Sequence, residues 1–297
     1  MIAQPELKDP KDLHPKPDFP RQPQERPGLA QDMTPTPDHG EESYKGHGRL
    51  KGRKALVTGG DSGIGRAAVI AFAREGADVA FNYLESESED AKQVVKLIED
   101  AGQKAVALPG DIADEEFCKK LVADAHEALG GLDILVNNAG RQTFQKTIDE
   151  LTTEQFDNTF KVNVYAPFWI SKAAIPLMPP GSTIINTASS QSFSPSAMLL
   201  DYAQTKACNV TFTKALAQQV IDKGIRVNAV APGPFWTALQ SSGGQPQDNV
   251  TEFGSSTLFD RPGQPVEIAP IYVLLASQDS SYMTGEVVGA TGGKTPY

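Results

Sequence analysis

The chain has 297 residues, of which 39% are hydrophobic and 22% charged, proportions typical of a soluble globular protein with a large core. Its formal net charge of −10 should repel nucleic acid and anionic membrane surfaces, so we expect neither as a partner. No apolar run reaches the roughly 20 residues that span a bilayer, and the opening segment lacks the apolar core of a secretory signal.

Few residues are available for metal or histidine chemistry. The two cysteines, Cys118 and Cys208, lie outside any CxxC motif, which favours reduced thiols in a cytoplasmic protein. Three of the four histidines precede the first expected strand, and His126 lies in a helical pattern. We therefore predict no metal site and no Ser-His-Asp hydrolase.

Residues 1–48 differ in composition from the rest of the chain. Nine of the 22 prolines fall between Pro5 and Pro37, and no helical or strand periodicity is visible there. A segment of this kind cannot bury enough apolar surface to fold alone. Two alternatives remain, a disordered tail or an extended arm that lies on the body or on a neighbouring subunit.

From residue 49 onward, short apolar runs alternate with longer helical patterns. Continuous apolar runs separated by helices indicate a parallel sheet covered on both faces. Seven such runs predict an α/β fold for residues 49–297, a doubly wound, seven-stranded parallel sheet of the Rossmann type in a single domain. Residues 233–262 break the alternation, and a loop this long is usually functional, often as a lid.

The first strand is followed by TGGDSGIG, residues 58–65. Gly59, Gly63 and Gly65 would let a phosphate approach the backbone closely, and the next helix would direct its N-terminal amides at the turn. A glycine cluster of this kind is also found in purely structural turns. On its own, the turn therefore leaves open whether it holds a ligand.

Several further motifs follow in order along the chain. They are GDI at 110–112, NNAG at 137–140, KVNV around Asn163, INTAS ending at Ser189, YAQTK at 202–206 and RVNAVAPG at 226–233. With TGGDSGIG, they make residues 50–293 resemble the short-chain dehydrogenase/reductase family, and in particular its glucose-dehydrogenase-like bacterial members with a long N-terminal arm. Enoyl reductases place more residues between their Tyr and Lys than this chain does.

The resemblance implies a catalytic group of four residues. Tyr202 would exchange a proton with the substrate oxygen, and the ammonium of Lys206, on the same helix face, would lower the phenol's pKa. Lys206 would also bind the nicotinamide ribose. Ser189 would polarise the substrate oxygen, because strand alternation points Ser190 to the opposite face. Asn163 either holds a water in the proton relay or is a buried structural residue.

The resemblance also implies NAD or NADP as the cofactor. The residues expected to border it are Gly59, Asp61, Ser62, Gly63, Ile64, Gly65, Tyr83, Asp111, Ile112, Asn138, Ala139, Gly140, Tyr202, Lys206, Pro232, Gly233 and Thr237. Asn138 alternatively braces neighbouring strands.

Selectivity between NAD and NADP is usually set just after the second strand, where an acidic residue binds the ribose 2′-hydroxyl. Tyr83 occupies that point, and Glu85 and Glu87 follow it. Arg66 is a nearby cation that either meets a 2′-phosphate or is a solvated helix residue. We expect use of both cofactors with a slight preference for NAD.

The expected substrate is a small alcohol or carbonyl compound such as an aldehyde, ketone, sugar or polyol. Apolar residues of the 233–262 loop, among them Trp236 and Leu258, suggest a fairly apolar lid. The resemblance further implies a homotetramer, built partly through helices around 155–175 and 203–222. The rival function is a non-catalytic dinucleotide-binding or redox-sensing protein, which would need the glycines but not the four catalytic residues.

Overall fold

The computed structural model describes residues 7–294, and a parallel sheet lies at their centre. Its seven strands are β1 Lys54–Thr58, β2 Asp78–Tyr83, β3 Ala105–Pro109, β4 Ile134–Asn137, β5 Thr183–Thr187, β6 Arg226–Pro232 and β7 Val287–Ala290. The strand order is β3-β2-β1-β4-β5-β6-β7, and every neighbouring pair is parallel. The predicted doubly wound α/β fold is confirmed.

Eight α-helices connect and cover the strands of the described region. They are α1 Gly63–Arg74, α2 Ser88–Asp100, α3 Glu115–Leu129, α4 Thr153–Phe160, α5 Ala166–Ala174, α6 Leu200–Val220, α7 Gln247–Thr251 and α8 Pro265–Ala276. Helices α1, α2 and α8 pack on one face of the sheet around Phe72 and Tyr272. Helices α3, α5 and α6 pack on the other face around Leu121 and Ile170. None of the helices described is long and apolar enough to cross a membrane.

The strand order reverses between β1 and β4, which are neighbours in the sheet. The chain leaves these two strands toward opposite faces, so a crevice opens beyond their carboxyl ends. The glycine turn follows β1 and the NNAG segment follows β4. The two motifs thus lie side by side at the point where ligands bind in open α/β sheets.

Helices α4 and α5 form one helical stretch rather than two separate helices. They are joined by a π-helical turn at Lys161–Tyr165, which contains Asn163. Single π turns inside α-helices are frequent at functional sites. The wider turn buries Asn163 completely.

Residues 7–48 lie extended along the body and pack against the 233–262 loop. The indole Nε1 of Trp236 donates to the carbonyl oxygen of Pro35 at 2.8 Å, and the ring centroid of Phe19 lies 4.2 Å from that of Trp236. Phe19 and Met33 are buried in this small apolar cluster. In the structure, residues 7–48 follow an extended path on the body, and the assignment of residues 1–48 as an arm stays a prediction.

The arm is also held by polar contacts at the C-terminal end of α1. The buried carboxylate of Glu75 accepts hydrogen bonds from the Tyr44 hydroxyl at 2.7 Å and from the Arg49 guanidinium at 2.7 Å. Burial raises the pKa of Glu75, but the hydrogen bonds from Arg49, Tyr44 and backbone amides outweigh burial and lower the pKa to about 2. The chain is therefore in contact with the end of α1 both before and after residue 48.

Candidate functional site

The glycine turn after β1 leaves no room for side chains at its tightest point. A Cβ on Gly65 would lie 1.9 Å from the carbonyl oxygen of Gly59, and Gly59 itself has a φ of +62°. Helix α1 begins at Gly63, so its free N-terminal amides face the turn. The turn has the form of a cradle for an anionic group such as a pyrophosphate.

Asn138 braces this turn against β4. Its side-chain amide donates to the carbonyl oxygens of Thr58 at 3.1 Å and Gly59 at 3.2 Å. The hydroxyl of Thr58 accepts from the backbone amides of Asn138 and Ala139. The bracing alternative for Asn138 therefore describes its side chain, although the residue also lines the cleft.

Tyr202 and Lys206 lie one turn apart on α6, and both side chains are buried. The ammonium Nζ of Lys206 lies 5.5 Å from the centre of the Tyr202 ring and donates to the carbonyl oxygen of Thr187 at 2.8 Å. Burial raises the pKa of Tyr202 to about 12, and a hydrogen bond with Ser189 offsets this only in part. Burial also lowers the pKa of Lys206 to about 8.

In the protein alone, the pKa of Tyr202 lies above its usual value and not below it as expected. Burial disfavours charge on both groups. A phenol that keeps its proton at neutral pH is suited to donate it.

Ser189 is the serine that faces Tyr202, but the reason differs from the one expected. Strand β5 ends at Thr187, and Ser190 begins a short 3₁₀ turn, so alternation along a strand does not apply to the pair. Both serines line the cleft. The backbone amide of Gln191 donates to Ser189 Oγ at 3.1 Å and fixes its position.

Asn163 links the segment after β4 to helix α6. Its side-chain oxygen accepts from the backbone amide of Arg141 at 2.7 Å. Its amide donates to the carbonyl oxygen of Arg141 at 2.9 Å and to Thr205 Oγ1 at 3.0 Å. This is a positioning role, in line with the alternative of a buried structural residue, and Asn163 is not part of the cleft wall.

A pair of buried carboxyl groups, Asp61 and Glu87, lies where the cleft meets the end of β2. Burial raises the pKa of Asp61 to about 6, and burial together with Asp61 raises the pKa of Glu87 to about 8. Close, buried carboxyl groups cannot both ionise near neutral pH, so the pair holds a proton. Tyr83 lies beside them and also lines the cleft.

Of the two roles given for Arg66, the structure contradicts the solvated helix residue. It is only 5% exposed, so it is not a solvated helix residue. Its Nε lies 3.0 Å from Glu41 Oε1 of the arm, and Nη2 donates to Gln93 at 3.2 Å. The arm therefore uses this cation for its own attachment, and a 2′-phosphate would have to compete with Glu41 for it.

The expected site residues come together around one cleft of about 1430 Å³ at the carboxyl ends of the strands. Of those predicted, Gly65 and Asn163 are not in its wall, although each contacts residues that are. The others line it: Gly59, Asp61, Ser62, Gly63, Ile64, Tyr83, Asp111, Ile112, Asn138, Ala139, Gly140, Ser189, Tyr202, Lys206, Pro232, Gly233 and Thr237.

The cleft wall also contains residues that sequence reasoning missed. Arg26 and Pro27 of the arm reach it, as do Gln142 and Ser242. No sequence signal marks the arm residues, because their position depends on contacts with residues more than 100 positions away. The expected apolar lid is only partly present. Trp236 is buried beneath the arm and Leu258 is exposed, so neither lines the cleft, whereas Leu239 and Phe253 do.

Comparison with known proteins shows which family and which relatives the chain is similar to. A family model described as "Enoyl-(Acyl carrier protein) reductase" matches residues 59–295. The chain is 58% identical over 288 residues to "Uncharacterized oxidoreductase YghA" of Escherichia coli, covering 97% of this chain and 98% of that protein. It is 44% identical over 281 residues to the glucose and ribitol dehydrogenase of Daucus carota, covering 93% and 96% respectively.

A solved structure shares the fold. The short-chain dehydrogenase of Burkholderia cenocepacia in complex with NADP superposes with a TM-score of 0.77 at 36% identity. The match covers 99% of that chain but 83% of this one, so part of this chain has no counterpart there.

Proposed function

Because this chain belongs to the short-chain dehydrogenase/reductase family of oxidoreductases, we propose that it interconverts an alcohol and a carbonyl compound with a nicotinamide dinucleotide. The residues proposed for catalysis are Ser189, Tyr202, Lys206 and Asn163. One observation carries the proposal: a buried phenol paired with a serine hydroxyl, beside a buried ammonium, in the wall of the cleft that the glycine turn also lines.

The cleft fits a dinucleotide. At Gly65, a Cβ would collide with the backbone of the turn, so the turn is shaped for close approach of a phosphate to the α1 amides. The carboxyl pair Asp61 and Glu87 at the end of β2 offers acceptors for ribose hydroxyls. The bound dinucleotide would supply or accept the hydride.

The remaining chemistry falls to the side chains at the other end of the cleft. In reduction, the phenol of Tyr202 donates its proton to the carbonyl oxygen, which gains negative charge as the carbon is reduced. The hydroxyl of Ser189 polarises the same oxygen. Lys206 stabilises the phenolate that remains, and Asn163 fixes the Arg141 segment and α6 relative to each other.

We also propose that both dinucleotides are accepted, with a slight preference for NAD. The carboxyls of Asp61 and Glu87 would oppose a dianionic 2′-phosphate, and Arg66 is already paired with Glu41. The NADP of the Burkholderia complex weighs in the other direction. The ratio of kcat/KM for NAD and NADP on one substrate tests this, and a preference for NADP above about tenfold would overturn it.

The proposed assembly is a homotetramer in the cytoplasm. The α4–α5 stretch exposes the aromatic side chains Tyr165 and Phe168, which are 42% and 47% accessible, and exposed apolar surface of this kind marks interfaces. Cys118 and Cys208 are both free thiols. Light scattering should give the mass of four chains, and the mass of a single chain would contradict the assembly.

The function as a whole is tested with a panel of aldehydes, ketones, sugars and polyols, each assayed with NAD(H) and NADP(H). Glucose and ribitol belong in the panel because the Daucus carota relative is named for them. We expect turnover of at least one member with the proposed stoichiometry of one dinucleotide per carbonyl. Tight dinucleotide binding without turnover of any member would favour the non-catalytic, redox-sensing alternative.

A further inference from the structure

The N-terminal arm places a cation at the substrate end of the cleft. The guanidinium of Arg26 spans two walls of the cleft, since Nη2 donates to the carbonyl oxygen of Gln142 at 2.6 Å and Nε donates to that of Ser242 at 3.2 Å. Gln142 belongs to the segment that follows NNAG, and Ser242 belongs to the 233–262 loop. Arg26 is accessible and lines the cleft, so its remaining N–H groups are free to meet a ligand there.

A second arginine lies close to the first. Arg26 donates to the carbonyl oxygen of Gln142, the residue after Arg141, and both arginines line the same cleft. In keeping with this, the charge of Arg141 lowers the pKa of Arg26, after the larger effect of partial burial. Arg141 follows Gly140, where a Cβ would lie 3.5 Å from the ammonium of Lys206. The backbone of Arg141 is held by Asn163, so its side chain begins beside the catalytic group.

Neither arginine has an acidic partner within residues 7–294. Arg26 forms no ion pair there, and the side chain of Arg141 donates no hydrogen bond, with its Nε buried and unpartnered. The carboxylate of Asp201 does raise the pKa of Arg26, but it is buried and accepts from Thr159 Oγ1 at 2.7 Å and from the amide of Tyr202 at 2.8 Å.

Two guanidinium groups at one place repel each other, and an anion bound between them would relieve this repulsion. Glu252 also lines the cleft, but it pairs with neither arginine. Guanidinium groups bind carboxylate and phosphate through paired N–H donors. We propose that Arg26 and Arg141 form an anion subsite, so that the preferred substrate is a carbonyl or hydroxy compound that carries a carboxylate or a phosphate. This inference rests on the proposed function, whose substrate class it narrows.

The test compares substrates that differ only in the anionic group. Butanal is paired with 4-oxobutanoate, and glyceraldehyde is paired with glyceraldehyde 3-phosphate. The wild-type protein should turn over the anionic member of at least one pair with a kcat/KM at least about tenfold higher, mainly through a lower KM. The first pair reports on a carboxylate and the second on a phosphate.

Three variants and one control assign the preference to residues. Arg26→Gln and Arg141→Gln should each lower the anionic-to-neutral ratio about tenfold, and Arg26→Lys should retain part of it. Arg21→Gln serves as the control, because Arg21 is an exposed arm cation that pairs with Asp248 outside the cleft, and its ratio should not change. Since the side chain of Arg141 makes no protein hydrogen bond, Arg141→Gln should fold even if Arg26→Gln does not.

Three results would overturn the anion subsite. The first is equal or faster turnover of the neutral members. The second is an equal loss of kcat/KM on both members of a pair in the arginine variants. The third is weaker dinucleotide binding in Arg26→Gln, which would place the dinucleotide pyrophosphate on Arg26.

Calorimetric titration of 4-oxobutanoate and butanal into the protein with oxidised dinucleotide measures binding at the subsite without turnover. Anion binding that requires Arg26 but gives no turnover would contradict the proposed function alone. Turnover of neutral members only would contradict the subsite alone.

Discussion

Tyr202 and Lys206 show how burial sets the protonation of the site. The surroundings that exclude water raise the pKa of the phenol to about 12 and lower that of the ammonium to about 8. The spacing of four on a helix was visible in the sequence, but the extent of burial depends on β5, the segment after β4 and α6 together. The identities of the pair were therefore predictable, whereas the direction of the pKa shift of Tyr202 was not.

Tyr202→Phe removes the proton donor and keeps the ring. We expect kcat for carbonyl reduction to fall at least about a hundredfold, the contribution typical of general acid catalysis, while the dinucleotide Kd stays unchanged. Tyr282→Phe is the matched control, because Tyr282 is fully exposed and does not line the cleft. Near-wild-type turnover by the Tyr202 variant would show that another group donates the proton.

The dependence of kcat/KM on pH should show the loss of the proton from Lys206. Because its pKa is lowered to about 8, the side chain is an ammonium below that pH and neutral above it. The kcat/KM for reduction should therefore be nearly constant from pH 6 to 7.5 and fall as the pH rises through about 8. Circular dichroism across the same range controls for unfolding, and a rate that stays constant to pH 10 would show that no deprotonation of Lys206 near pH 8 controls the reaction.

At the scale of elements, the strands and helices were largely readable because the central strands, such as β4, β5 and β6, are buried on both faces. A helix was expected around 203–222, and α6 is found at Leu200–Val220. The π-helical turn at Lys161–Tyr165 was not foreseen, because periodicity does not distinguish one widened turn from an α-helix.

The pair of carboxyl groups in the turns after β1 and β2 was also not predicted, because it depends on tertiary structure. Asp61 and Glu87 belong to different β-α units, and only the pairing of β1 with β2 brings them together.

Glu87→Gln should make the protein more stable at high pH. The pKa of Glu87 is raised from 4.5 to about 8, so the folded chain holds a proton that the unfolded chain has already released. Its contribution to stability is complete below about pH 4.5 and is lost as the pH rises toward 8. Glutamine keeps the oxygen that accepts from the Leu84 amide and removes the ionisation.

The measurement is the difference in Tm between variant and wild type. It should be small at pH 5 and favour the variant by roughly 2–5 °C at pH 8, on the scale of one to two kcal/mol for a domain of this size. Glu89→Gln, at an exposed position in the first turn of α2, where Glu89 pairs with Lys92, should show no such trend. A constant difference from pH 5 to 8 would mean that Glu87 is ionised throughout.

At the scale of the whole molecule, the arm joins parts of the body that otherwise have little contact. It packs on Trp236 of the 233–262 loop, pairs with Arg66 of α1 and reaches the cleft with Arg26. Composition alone could separate residues 1–48 from the domain but could not choose between a tail and an arm. The anchoring residues, such as Phe19, are single apolar side chains among prolines and charges, and their partners lie at the far end of the sequence.

Phe19→Ala should loosen the arm and the loop beneath it. Phe19 is buried against Trp236, so its truncation removes apolar contact and leaves a cavity, with a cost of about 3 kcal/mol. We expect a lower Tm and a red shift of the emission of Trp236 as the indole gains access to water. Leu13→Ala, at an exposed position of the same arm, is the control. Unchanged emission would mean that the arm does not cover Trp236 in solution.

The path of the arm also has a consequence for the order in which the protein is made. The carbonyl of Pro10 accepts from the guanidinium of Arg261, and the amide of Val266 donates to the carbonyl of Asp38, so the partners are separated by more than 200 residues. Because a ribosome synthesises the arm before residues 261–266, the arm has to wait for these residues before its docking surface exists. Contacts this distant in sequence also carry a large loop-closure entropy. The arm is therefore secured late although it is synthesised early, and the cleft acquires Arg26 only at that late stage.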